Sequence, residues 1–233
     1  MLRDIWLRAT TVQPPLPFNS VLLVAAVALL VIGSPVGYRL VRHLITLVHE
    51  AGHALVAKLC GRTLRGIRLH SDTSGVTLSK GRPTGPGMVA TLAAGYPAPS
   101  ALGLVGALVL GHGYASALLW TLVVACAGVL LLMRNLYGLW VVLAVGVSVT
   151  ALSWLAPAAV LVWVATALVW ALLLAAPRSV IELQLQRRRG RGGGSDVDQL
   201  ARLTRVPAPV WVGVFLVVGL GALTGGGWLL LGL

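Results

Sequence analysis

In Thr46-Leu47-Val48-His49-Glu50-Ala51-Gly52-His53-Ala54-Leu55, two histidines stand four residues apart with a glutamate directly after the first. On a helix, residues four apart share a face, so His49 and His53 can offer two imidazole nitrogens to one metal ion, with Glu50 beside them as a non-ligand carboxylate. Zn2+ takes nitrogen and oxygen donors of this kind and leaves a position for water in catalytic sites. A carboxylate so placed can take a proton from the attacking water and pass it to a leaving amine, while the metal polarises the carbonyl under attack. That is the chemistry of peptide hydrolysis.

The same string also arises by chance in soluble helices, where both histidines are ordinary surface residues. Its setting argues against that here. It lies in an apolar run from Val36 to Cys60, long enough to cross a bilayer if helical, since a span needs ~20 mostly apolar residues. Arg39, Arg42 and Thr46 continue the polar face upstream. Each charge at bilayer depth costs roughly 3 kcal/mol on insertion scales, so this stripe is expected to face the protein interior or a wet cavity.

The rest of the chain has to hold that stripe inside a membrane. Of 233 residues, 58% are hydrophobic and the mean hydropathy is +0.91, which excludes a soluble domain and predicts an integral membrane protein. The net charge of +12 fits cytoplasmic loops rich in Lys and Arg. Without a recognisable binding module it does not indicate nucleic acid. Cys60 and Cys126, in or at the end of apolar runs and without metal-type spacing, read as buried thiols.

In chain order, residues 1–18 read as a short tail broken by Gln13-Pro14-Pro15-Leu16-Pro17. A short first span, retained rather than cleaved as a signal, is expected from Asn19 to Gly33, and Val36–Cys60 is the second. Residues 61–87 follow as a hairpin and loop: Ile67 and Leu69 alternate with polar neighbours, as do Val76 and Leu78, around Ser71-Asp72-Thr73-Ser74-Gly75. An exposed strand there could pair with an extended substrate through main-chain hydrogen bonds. His70 and Asp72 read as turn and edge residues, and His112 as a loop histidine.

Further spans are expected at Met88–Leu110, Ala115–Met133, Leu136–Leu155, Ala158–Ala176 and Val210–Leu231, about seven in all. Most of the eight tryptophans fall where an interfacial belt would put them. A basic loop, 177–208, contains the flexible linker Gln186–Gly194, expected to rest on anionic lipid, and a short helix starting at Ser195-Asp196-Val197-Asp198. In that helix Ser195 caps and Asp198 closes the box. With the N-terminus inside, only Arg39 and Arg42 fall toward the outer face.

The motif inside a span, the basic strand-like segment after it and the next span carrying Ala94-Gly95-Tyr96-Pro97 together resemble the site-2 protease family of intramembrane zinc metallopeptidases. The likeness is to its compact B-like branch, over most of residues 36–206. The resemblance implies zinc on His49 and His53, Glu50 as general base and acid, and Gly-Tyr-Pro as a variant of the family's Gly-Pro motif. It also exposes a departure: the better-known members take a third ligand from an Asp-Gly pair, and no Asp-Gly occurs here. Asp196 is the favoured substitute, because its Ser-Asp segment resembles a recurrent feature of the compact branch; Glu182 and Asn135 are the other candidates.

The expectation is therefore one integral unit over residues 1–233, all-α and polytopic with a small β-hairpin after the motif helix, in a bacterial cell membrane. It would be a zinc-dependent endopeptidase acting on transmembrane proteins near their cytoplasmic side. Substrates could bind by strand addition; lipids are partners and nucleic acid is not. The main alternative is an inactive relative that binds membrane clients. A transporter or channel using the polar stripe as a pathway would need paired interrupted helices and an internal repeat, which the sequence does not show.

Overall fold

The computed structural model describes residues 2–190 and 194–233; part of the expected linker, residues 191–193, lies outside the described residues. The chain is mainly helical: α1 (Leu2–Thr10), α2 (Phe18–Gly33), α3 (Pro35–Leu59), α4 (Pro86–Ala93), α5 (Pro97–Gly111), α6 (Ala115–Leu132), α7 (Leu136–Leu155), α8 (Ala158–Arg188), α9 (Asp196–Thr204) and α10 (Ala208–Leu231). One antiparallel hairpin, β1 (Thr63–Leu69) and β2 (Gly75–Lys80), separates α3 from α4. The protein is an integral, multi-pass membrane protein. Among the described residues, α6, α7, α8 and α10 are each long and apolar enough to span, and two bent pairs raise the count to six if each pair is one span.

The seven expected spans fall short because Asn19–Gly33 and Val36–Cys60 make one broken pair. Ser34 accepts a hydrogen bond from the Gly37 N–H (3.0 Å) and Pro35 opens the new helix, so α3 starts afresh and turns 99° from α2. The beginning of α3 stays at the hairpin end of the molecule: Tyr38 and Arg42 reach Glu182 on the last turns of α8, and His43 reaches Tyr137 at the start of α7. Arg39 is exposed there, not turned inward with the rest of the stripe. The third expected span is likewise split, with 62° between α4 and α5, where Pro97 begins the second helix.

Residues 1–18 are not a plain tail. Asp4 in the first turn and Arg8 in the last of α1 suit the helix dipole, and Arg8 Nη1 donates to Trp154 O at the end of α7 (2.9 Å). The Gln13 N–H donates to Gly113 O (2.8 Å), and its side-chain oxygen accepts from the Ser116 N–H at the start of α6 (3.1 Å). The opposite ends of α6 and α7 meet the hairpin. The Arg134 N–H donates to Ile67 O (2.9 Å), and the Asn135 amide exchanges two hydrogen bonds with the Leu69 backbone (2.6 and 3.2 Å). The N-terminal segment and the hairpin therefore sit at opposite ends of the α6–α7 pair, and the expectation that they share a face is corrected.

The core lies where α5, α6, α8 and α10 pack, around Ala107, Leu119, Leu161, Ala165, Val169 and Leu173. Trp170 is buried against Val21, Val24 and Ala28 of α2, away from any belt, whereas Trp140 and Trp228 face outward. The expected loop 177–208 is mostly helical. α8 runs through Pro177, which is buried where α10 packs at Gly219, and Glu182-Leu183-Gln184-Leu185-Gln186-Arg187-Arg188 are good helix formers. Cys60 caps α3 and is exposed, and Cys126 is half-buried; neither is the buried thiol expected.

Candidate metal centre

α3 carries His49, Glu50 and His53 into a buried layer closed by β2, the α4–α5 break and α9. His53 and Glu50 are 6% and 4% exposed, too little for surface residues of a chance motif. His49 Nε2 and His53 Nε2 lie 3.0 Å apart, and Asp196 Oδ2 lies 3.1 Å from the first and 3.2 Å from the second. Among the described residues these three side chains form the one group of His, Cys, Asp and Glu whose donor atoms could hold a metal ion.

The hydrogen bonding shows what this group requires. Thr91 O can only accept, so His53 Nδ1 donates to it (2.7 Å) and a neutral His53 turns the lone pair of Nε2 toward His49 and Asp196. Two imidazole lone pairs and a carboxylate oxygen converging at about 3 Å repel one another unless a proton or cation lies among them. Donors of a tetrahedral Zn2+ site with bonds of ~2.0–2.1 Å are about 3.3 Å apart, close to the separations found. The residues fit a metal.

Asp196 reaches the site from the first turn of α9. Burial opposes its ionised form, but a proton shared from the His49 and His53 rings outweighs that and holds its carboxyl well below the usual range. Ser195 precedes α9 without capping a backbone N–H; its hydroxyl donates to Asp198 Oδ2 (2.7 Å), so the expected reciprocal capping box does not form. Asp198 is instead ion-paired with Arg187 on α8, tying α9 to the end of the long helix. Slight burial raises the Asp198 pKa, but hydrogen bonds from Ser195 and Arg187 and the Arg187 charge outweigh it and leave it below its ordinary value. Its contribution to stability is present above the unfolded pKa, ~3.9, and is lost as pH falls through the lower folded value. Arg187→Ala is expected to loosen α9 and weaken metal binding about 10-fold, read by zinc competition against a chelator.

The other third-ligand candidates stand elsewhere. Glu182 accepts from Arg42 Nη1 (2.5 Å), Tyr38 OH (3.0 Å) and Gln186 Nε2 (3.3 Å). Asn135 is engaged with β1. His70 and Asp72 belong to the hairpin turn, where Asp72 Oδ1 accepts from the Ser74 N–H (2.9 Å) and hydroxyl (2.6 Å). Those bonds hold the Asp72 carboxyl below its ordinary pKa. His112 caps α5.

Gly95 supplies what spacing alone could not reveal. A Cβ there would lie 2.5 Å from His53 Cε1 and Nε2 and 2.6 Å from His49 Cε1, so the backbone at the α4–α5 break lies directly against both imidazoles. Gly52 allows that approach, since a Cβ on it would sit 2.5 Å from the Ala98 Cβ. Tyr96 sets its ring edge-on to His49 (4.7 Å) and stacks on Phe215 of α10 (5.4 Å). Tyr96 enters the sequence reading only within the Gly-Tyr-Pro stretch, and nothing in the sequence marks Thr91, Gly75 or Thr77 as site residues. Thr77 read only as the polar half of a strand alternation.

A cavity of about 400 Å³ opens onto this layer, walled by the three candidate donors, Glu50, β2 and the apolar Met88 and Leu92 of α4. A second, of about 180 Å³, reaches His49 and Glu50 from the side of Arg42 and Glu182. Fold and site together define a helical membrane protein with a buried H-E-x-x-H site able to take a metal. The chain belongs to the Peptidase M50B-like family, within the site-2 proteases, whose model matches residues 21–226. Searches of curated proteins and of solved structures each returned no match.

Proposed function

We propose that the chain is a zinc-dependent intramembrane endopeptidase that cleaves membrane-protein substrates, with the hairpin face on the cytoplasmic side of a bacterial cell membrane. The observation that carries this reading is the convergence of His49 Nε2, His53 Nε2 and Asp196 Oδ2 within 3.2 Å of one another, with the Glu50 carboxylate in the same cavity. Two nitrogens and one oxygen favour zinc, which when bound would polarise the scissile carbonyl and acidify the attacking water. Glu50 takes the proton from that water and delivers it to the amine that leaves. His53 is oriented by Thr91 O, and burial keeps bulk water from the reacting atoms.

The substrate is an extended backbone, which a transmembrane helix provides only after unwinding. β1 lies between β2 and the segment at Met133–Asn135, so β2 is the terminal strand, and it borders the cavity that holds Glu50. Its second edge suits strand addition by substrate, with Val76 and Leu78 presented on the outer face. Residues 61–87 and the described residues of 177–208 stand at this end, carrying most of the Lys and Arg, and Arg3 and Arg8 stand at the other. That distribution supports a cytoplasmic hairpin and six crossings, with the whole chain as one unit resting its basic face on anionic lipid. The missing Asp-Gly favoured an inactive client-binding relative; Asp196 beside both imidazoles removes that support.

The test is cleavage of a tagged single-span polypeptide by purified protein in liposomes. Glu50→Gln is expected to reduce turnover by about 10²- to 10⁴-fold, the contribution of a general acid–base group, with zinc content unchanged. Equal processing by the variant and the wild type would sink the peptidase reading.

A further inference from the structure

The strand that borders the site also touches Glu50 directly. Gly75, Thr77 and Ser79 form the inward face of β2, and Val76, Leu78 and Lys80 the outward one. The Thr77 hydroxyl lies 2.7 Å from Glu50 Oε2 and 2.9 Å from Glu50 O, so it can donate to the carboxylate. Two residues earlier, a Cβ on Gly75 would lie 2.7 Å from Glu50 Cγ and 2.9 Å from Glu50 Oε1. No side chain fills that position, and both cavities reach it: each is lined by His49, Glu50, Gly75 and Tyr96.

We infer that β2 is a positioning element for proton transfer as well as a docking edge: Thr77 fixes Glu50 Oε2, and the bare backbone of Gly75 leaves Oε1 facing the junction of the two cavities, where water and the scissile peptide meet. The inference rests on the peptidase reading and assigns Thr77 a role in it. A glutamate on a helix has three side-chain torsions, and only some rotamers aim an oxygen at the reacting atoms. A donor on a rigid strand selects among them before substrate arrives. A charge-assisted hydrogen bond from a hydroxyl is strong enough to hold that choice. Substrate pairing with β2 would then be registered against the same strand that orients the base.

A second tie between the hairpin and α3 serves as an internal control. The Thr46 hydroxyl donates to Thr73 O (2.7 Å), not to the carboxylate, and so fastens the turn. The experiment uses zinc-loaded full-length protein in liposomes and a fluorogenic polypeptide with one apolar helix of ~20 residues and a polar flank. Thr77→Val keeps the shape and removes the donor. It is expected to lower kcat about 10- to 100-fold, as loss of an orienting partner does, with KM and zinc content unchanged. Thr77→Ser should recover most of the loss, and Thr46→Val should cost far less than Thr77→Val. A thermal double-mutant cycle of Thr77→Val with Glu50→Gln gives a readout apart from turnover, and should show that the two substitutions are not additive.

Wild-type turnover in Thr77→Val, equal losses in the Ser and Val variants, or additive thermal effects would each overturn the inference while leaving Glu50-dependent cleavage intact. If the wild type shows no Glu50-dependent cleavage, the peptidase reading itself fails and takes this inference with it.

Discussion

Asp196→Ala is expected to leave the purified protein with less than about a tenth of the zinc bound by the wild type after dialysis against a buffered metal, and with no measurable cleavage. Structural zinc sites gain ~10–16 kcal/mol from roughly four ligands, so losing one donor costs several kcal/mol, a factor of a hundred or more in affinity. Asp196 is also the anionic member of the three, so its removal leaves two neutral rings to hold a dication. Glu182→Gln and Asn135→Ala serve as controls that retain zinc, because the first engages Arg42, Tyr38 and Gln186 and the second engages Leu69. Metal analysis of the three variants together checks the assignment: zinc retained in Asp196→Ala and lost in Glu182→Gln would transfer the third position to α8.

How much of this the sequence discloses depends on the distance over which each feature is written. The two imidazoles and Glu50 fall within five consecutive residues of one helix, and helical geometry alone puts them together. The hairpin is equally local, since alternation and a polar turn specify it within 18 residues, Thr63–Lys80. Asp196 lies 143 residues beyond His53, and no periodicity links them. A resemblance could favour it over Glu182 and Asn135, but only the packing of α9 beneath the α4–α5 break brings its carboxylate to the rings.

The number of spans is hard to read from sequence for a related reason. Hydropathy measures whether a segment tolerates lipid and says nothing of direction, so the breaks at Ser34-Pro35 and Gly95-Tyr96-Pro97 could be seen while the 99° and 62° turns could not. Once α3 turns away from α2, Arg3 and Arg8 exchange faces with Arg39 and Arg42. The charge bias looks the same either way, so it could not reveal the error. Contacts of Arg8 and Gln13 at the far ends of α6 and α7 decide it.

Gly95→Ala is the second large effect, expected to abolish zinc retention and lower cleavage at least about 100-fold, although it adds a single methyl group. That methyl would sit 2.5 Å from His53 and 2.6 Å from His49, closer than carbon atoms approach without one of them moving. Neither ring can yield freely: His53 is held through Nδ1 by Thr91 O, and His49 has the edge of Tyr96 against it. The backbone at 95 is flanked by a helix start at Pro97 and by the Gly52 contact, so retreat there would open the seam between α3 and α5. A metal site tolerates ligand shifts of only ~0.2 Å, so a displacement approaching an ångström leaves the donors unable to share one ion. Gly219→Ala provides the matched control, since its Cβ would meet Pro177 at an ordinary 3.5 Å in the packing of α10 on α8. Comparing thermal stability and zinc content of the two variants separates a loss of packing from a loss of the site. If Gly95→Ala kept both zinc and turnover, the rings would not need the positions they occupy here, and the case for a preformed centre at the α4–α5 break would fail.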